Sequence, residues 1–140
     1  MARLTAPPAL EHIRSMSQWL QEHAQRWEVP EAAVIRLDLC LNEAVANSLT
    51  HGGPGVQLVP LELAMQYAED GDTSSVTLCV DDGGMPFDPT TSVLPPQARS
   101  LVDASAGGLG IRMLRSTADA LYYQRIGNRN RLDIEVRWNL

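Results

Sequence analysis

Apolar residues recur at steps of three and four through residues 9–27: Leu10, Ile13, Met16, Leu20, Ala24 and Trp27. That period puts them on one face of an amphipathic helix. Val29-Pro30-Glu31 opens a second helix. Proline suits a first turn, where its missing N–H leaves no bond unmade, and an acid suits the positive end. This helix runs to about Thr50 and stops at the breaker cluster His51-Gly52-Gly53-Pro54-Gly55. The period then changes. The second half of residues 56–67 alternates as a strand does, and Pro60 favours an edge or an irregular start. Glu69-Asp70-Gly71-Asp72 turns the chain into a second strand over 75–81, apolar enough to be central. Residues 83–106 are rich in Pro, Ser, Thr and Ala, and a stretch of that length is an active-site loop or disorder rather than a plain connector. Residues 108–118 form a third helix. Two strands close the chain, 120–125 and 131–138, joined by a turn over 126–130.

The order is helix, helix, strand, strand, loop, helix, strand, strand. Strands joined by short turns imply a mostly antiparallel or mixed sheet, and the helices gather on one face. The fold class expected is α/β, a two-layer α/β sandwich in a single domain over 1–140. A chain of 140 residues is long enough to bury a real core.

Composition narrows the chemistry. The chain carries a net charge of −6, with its basic residues scattered, so no nucleic-acid footprint is expected. No apolar run approaches the roughly 20 residues that span a bilayer, and residues 1–8 lack the apolar stretch of a signal peptide. The expectation is a cytoplasmic protein with no membrane partner. All eleven basic residues are arginine. That excludes a P-loop lysine and a Schiff-base lysine, so any bound phosphate must be neutralised by metal, arginine or backbone N–H groups. Cys40 and Cys79 fall in apolar segments and read as reduced core thiols.

Three segments could carry chemistry. Glu43, Asn47 and His51 lie four apart within an otherwise apolar helix, one above the other on the same face. A carboxylate and an amide facing inward need something to satisfy them, either a buried polar network or a ligand. Asn47 offers a hard carbonyl oxygen suited to Mg²⁺, and one such ligand suffices when phosphates and waters complete the shell. Glu43 could serve as general base on a hydroxyl or a water. The second segment is Val80-Asp81-Asp82-Gly83-Gly84-Met85-Pro86-Phe87-Asp88. A strand ending in aspartate and turning through glycine puts a carboxylate at a sheet edge, where it can accept from the exocyclic amine of adenine; taken alone, it is also an ordinary turn. The third is Gly107-Gly108-Leu109-Gly110-Ile111. Glycines leading into a helix expose N–H groups at its positive end, an anion site in principle. Arg112 and Arg115 follow, and arginines so placed are usually solvated.

Together these segments resemble the motifs of the GHKL ATP-binding superfamily, whose Bergerat fold serves histidine kinases and DNA gyrase B. Glu-Ala-Val-Ala-Asn-Ser-Leu-Thr-His-Gly at 43–52 looks like its N box, and the segments at 81–89 and 107–111 look like its two glycine boxes. Pro86-Phe87-Asp88-Pro89 and the C-terminal run over 117–132 are closer to one branch, the bacterial anti-sigma-factor serine/threonine kinases. The resemblance implies ATP and Mg²⁺ as cofactors. Asn47 would ligate the metal and Glu43 would be the catalytic residue. Asp81 would bind the adenine amine with Gly83 beside it. Gly108, Leu109 and Gly110 would meet the phosphates under a lid drawn from about 88–106. His51 would be structural, bonding backbone near the helix end. The implied partners are a sigma factor, held inactive, and a STAS-domain anti-anti-sigma protein, phosphorylated on serine or threonine; a homodimer is the family default. The alternatives are a non-catalytic ATP- or ADP-reading module and a histidine-kinase catalytic domain. Only residues 3–6 remain to form the strand with which the family usually opens.

Overall fold

A computed structural model describes residues 1–91 and 108–139. Five strands form one sheet in the spatial order β1-β2-β3-β5-β4, with β1 Ala2–Ala6, β2 Leu61–Asp70, β3 Thr73–Asp82, β4 Ala120–Ile126 and β5 Arg129–Asn139. Every ladder is antiparallel. The opening strand is therefore present, paired with β2 through Ala2↔Met65 to Ala6↔Leu61. Three helices cover one face: α1 Ile13–Arg26, α2 Glu31–His51 and α3 Gly108–Thr117. This is the two-layer α/β sandwich expected, and its sheet is antiparallel throughout. None of the described helices is long and apolar enough to cross a membrane.

Parity along the strands decides what meets the helices. Leu61, Leu63 and Met65 of β2, Val76, Leu78 and Val80 of β3, and Leu132, Ile134 and Val136 of β5 are all buried. They pack against Met16 and Leu20 of α1, Leu37, Leu41 and Val45 of α2, and Leu114 of α3. α2 buries one stripe along its length, from Ala33 through Leu37, Leu41 and Ala44 to Asn47. Cys40, on the inner side, and Cys79, on the outer face of β3, are both buried free thiols. Burial pushes the first up to about 11 and the second up to about 12.

Two boundaries differ from expectation. Residues 54–58, where the breaker cluster meets the 56–67 segment, form a 3-10 turn that begins at Pro54. Proline has no N–H to give a ladder, and β2 starts only after Pro60. Leu10 lies in a 3-10 turn ahead of α1 and stays 57% exposed, so the apolar face begins at Ile13.

Arg36 of α2 ties the helical layer to the sheet. Its guanidinium donates to the carbonyl of Thr117 at 2.8 Å and to Asp119 Oδ2 at 3.0 Å. The first bond satisfies an orphan carbonyl at the end of α3. Asp119 in turn accepts from the Arg137 N–H at 2.6 Å, registering the entry to β4 against β5.

Candidate functional site

The C-terminal half of α2, the end of β3 and the start of β5 enclose a cleft of about 380 Å³, counting its open mouth. Asn47 and Ser48 face it from α2, Asp82 from β3, Phe87 and Pro89 from the following segment, and Asn130 from β5. Asn47 is only 7% exposed, and its Nδ2 has no hydrogen-bond partner among the described residues. A buried amide donor without a partner is costly, so this position is built to meet something that the described residues do not supply. Half-buried Glu43 stands one turn before it.

Gly110, in the first turn of α3, sits directly over this pair. A Cβ there would fall 2.5 Å from Glu43 Oε2 and 3.7 Å from Asn47 Oδ1. Without a side chain, residue 110 leaves room for the Glu43 carboxylate in the position it occupies. Gly108 and Leu109 open the same helix, so the N–H groups that have no partner within the helix lie at the Glu43–Asn47 end. The side chain of Leu109 and all but residues 88–91 of the lid expected over about 88–106 lie outside the described residues.

At the opposite end, the carboxylate that faces the cleft belongs to Asp82, not Asp81. Side chains alternate along β3, and Leu78 and Val80 point to the helices, so 82 does too. Asp82 is 5% exposed. Its Oδ1 accepts from the Gly84 N–H at 2.8 Å and from Asn130 Nδ2 at 3.0 Å, and its Oδ2 accepts from Ser48 Oγ at 2.8 Å. Asp81 points to the outer face and is paired with Arg129, whose guanidinium also reaches the Pro60 carbonyl at 3.1 Å. The expectation for Asp81 is thus corrected by one residue. Gly83 moves with it. Its bare side faces Val59, while Gly84 is the glycine packed against Gly52 and Asp82.

His51 holds this region by stacking on Phe87, ring centroids 4.2 Å apart and planes 10° from parallel. Its Nε2 is buried and has no hydrogen-bond partner among the described residues, where the support is the ring face. Arg115, expected to be solvated, donates to the Pro89 carbonyl at 2.8 Å and fastens the segment after β3 to α3.

The described residues contain no cluster of three or more side chains able to hold a metal by themselves. The donor set still fits magnesium, because an amide oxygen at Asn47 suits an ion whose remaining ligands are phosphate and water.

By fold and cleft, this is a two-layer α/β sandwich of the histidine-kinase ATPase type. Residues 6–138 match the family model of the histidine kinase-like ATPase domain, and the chain belongs to that family. It is 34% identical over 116 residues to the serine/threonine-protein kinase BtrW of Bordetella bronchiseptica, covering 83% of this chain and 79% of that one. Its fold matches a Mycobacterium tuberculosis structure containing RsbU and RsbW domains, with a TM-score of 0.67 and 14% identity. That match takes in 96% of this chain and 31% of the other. It also matches a chain of the SiaB-SiaC complex of Pseudomonas aeruginosa, with a TM-score of 0.65 and 12% identity over 97% of this chain and 89% of that one.

Proposed function

We propose that this chain is an ATP-dependent protein serine/threonine kinase that acts as an anti-sigma factor and phosphorylates a STAS-type antagonist. The observation that carries the reading is the stacking of Gly110 on Glu43 and Asn47. It sets a carboxylate and an amide under the first turn of a helix, and that amide, Asn47, lines a cleft that the buried carboxylate of Asp82 also lines. The 34% identity to a serine/threonine-protein kinase supports transfer to a hydroxyl.

Each residue then has one task. Asp82 accepts from the amino group of the base. The N–H groups of the first turn of α3 face the phosphates. Asn47 would hold magnesium through Oδ1, and the ion would supply charge neutralisation at the phosphates. Glu43 orients the incoming hydroxyl and takes its proton. With no lysine in the chain, charge compensation falls to the ion, to arginine and to backbone donors.

The test is incubation with γ-labelled ATP, magnesium and a STAS-domain protein from the same genome. The expected result is label on a serine or threonine of that partner. Nucleotide binding with no transfer would make the chain a nucleotide-reading module instead, and label on a histidine of the chain itself would make it a histidine-kinase domain.

A further inference from the structure

We propose that Tyr123, Arg125 and Asn130 act as positioning residues that hold Asp82 as a fixed acceptor, and so set a preference for 6-aminopurine over 6-oxopurine nucleotides. The inference rests on the nucleotide reading of the cleft given above.

Asn130 is 5% exposed and lies at the start of β5. Arg125 is its register partner on β4, and Tyr123 lies two residues before Arg125 on the same strand face. The Asn130 amide has five hydrogen-bond partners. Its Oδ1 accepts from the Tyr123 hydroxyl at 2.5 Å, from Arg125 Nη1 at 3.1 Å and from the Phe87 N–H at 3.4 Å. Its Nδ2 donates to Asp82 Oδ1 at 3.0 Å and to the Met85 carbonyl at 2.8 Å. A guanidinium and a backbone N–H only donate, and a backbone carbonyl only accepts. The amide therefore has one orientation. Turned over, it would set its NH₂ against two obligate donors and its oxygen against two acceptors.

Arg125 is exposed overall, yet its guanidinium folds back over the cleft wall, where it also donates to the Gly84 carbonyl at 2.7 Å. One arginine thus fixes both the amide and the turn that follow Asp82.

The consequence falls on the carboxylate. Two donors fill Oδ1, from Asn130 and Gly84, and Oδ2 takes one from Ser48. An ionised carboxylate has about four acceptor positions, so one remains, on Oδ2. A 6-amino group is a donor and fits that position. The 6-oxo group of inosine or guanosine nucleotides is an acceptor, and it would face the carboxylate with no hydrogen between them. The discrimination lasts only while the Asp82 carboxylate cannot swing away from the base, and the oriented amide is what holds it.

The experiment is calorimetric measurement of ATP and ITP binding, each with magnesium, to the wild-type protein, to Asn130→Leu and to the double variant Tyr123→Phe/Arg125→Met. Wild type is expected to favour ATP by at least about 100-fold, since a buried acceptor left facing another acceptor is strongly rejected. Both variants are expected to narrow that ratio by about tenfold. A purely architectural role would weaken both nucleotides together and leave the ratio unchanged. The double variant keeps the buried amide and serves if Asn130→Leu fails to fold. A double variant whose ATP-to-ITP ratio stays within about twofold of wild type overturns the proposal. A wild-type protein that binds both nucleotides alike overturns the proposal while keeping the nucleotide reading, whereas one that binds neither overturns the nucleotide reading of the cleft, and this inference falls with it.

Discussion

Gly110→Ala separates stability from catalysis in the proposed site. The added Cβ would lie 2.5 Å from Glu43 Oε2, where ordinary contact begins near 3.4 Å, so about 0.9 Å must be recovered. The clash is with the far end of a flexible side chain, and the carboxylate can yield by rotating about its last bonds. The Glu43 Cδ, at 3.6 Å, already clears the new methyl. The backbone at 110 is helical and needs no positive φ, so alanine also gains helix propensity of up to about 1 kcal/mol. Folding is then expected to be unchanged or better, by roughly 0–4 °C in Tm for a chain of this size. Transfer should suffer all the same, because displacing a positioned base by about 1 Å can cost roughly 100-fold. Thermal denaturation followed by circular dichroism gives the first quantity, and labelled transfer to a STAS-domain partner gives the second. A variant that keeps transfer within about threefold of wild type would show that Glu43 does no work at the position it occupies.

Asn47→Ala should abolish magnesium-dependent ATP binding, measured by calorimetry, while Glu43→Gln should bind ATP normally and lose about 100-fold or more in transfer. Asp82→Asn should remove ATP binding, whereas Asp81→Asn should leave it intact and cost about 1 kcal/mol through the half-exposed pair with Arg129, read by urea denaturation. Arg36→Ala should lower stability by about 1–2 kcal/mol, because it strips the Thr117 carbonyl and Asp119 of a shared donor. Cys40 and Cys79 should resist iodoacetamide at pH 8.5 until the chain unfolds, since burial raises both thiols well above an ordinary value of about 8.5. The same shift sets a sign for stability. The folded thiols hold their protons longer than the unfolded ones, so stability is full below pH 8.5 and is lost as pH climbs through 11 and 12.

Much of this site was legible in the order of the residues because its parts lie on regular elements. A helix repeats every 3.6 residues, so Glu43 and Asn47 could be set on one face before any coordinate was known, and the glycines at 108 and 110 marked a helix entry. The strand end was harder. Two aspartates stand side by side there, and choosing between them needs the parity of β3 carried from its buried positions. Leu78 and Val80 point inward and carry the count to Asp82; the apolar Cys79, buried on the outer face, blurs the alternation and lets 81 pass for the inward residue. Asn130, Tyr123 and Arg125 left no such trace. Their meeting with Asp82 depends on β5 lying between β3 and β4, and on the pairing Asp82↔Asn130. No local pattern encodes a contact across 48 residues. An asparagine beside a hairpin turn and an arginine on an edge strand each have an ordinary local explanation. What distinguishes them is that Tyr123 and Arg125 meet on the Asn130 amide, which donates to one buried carboxylate, and that convergence exists only after the sheet has closed.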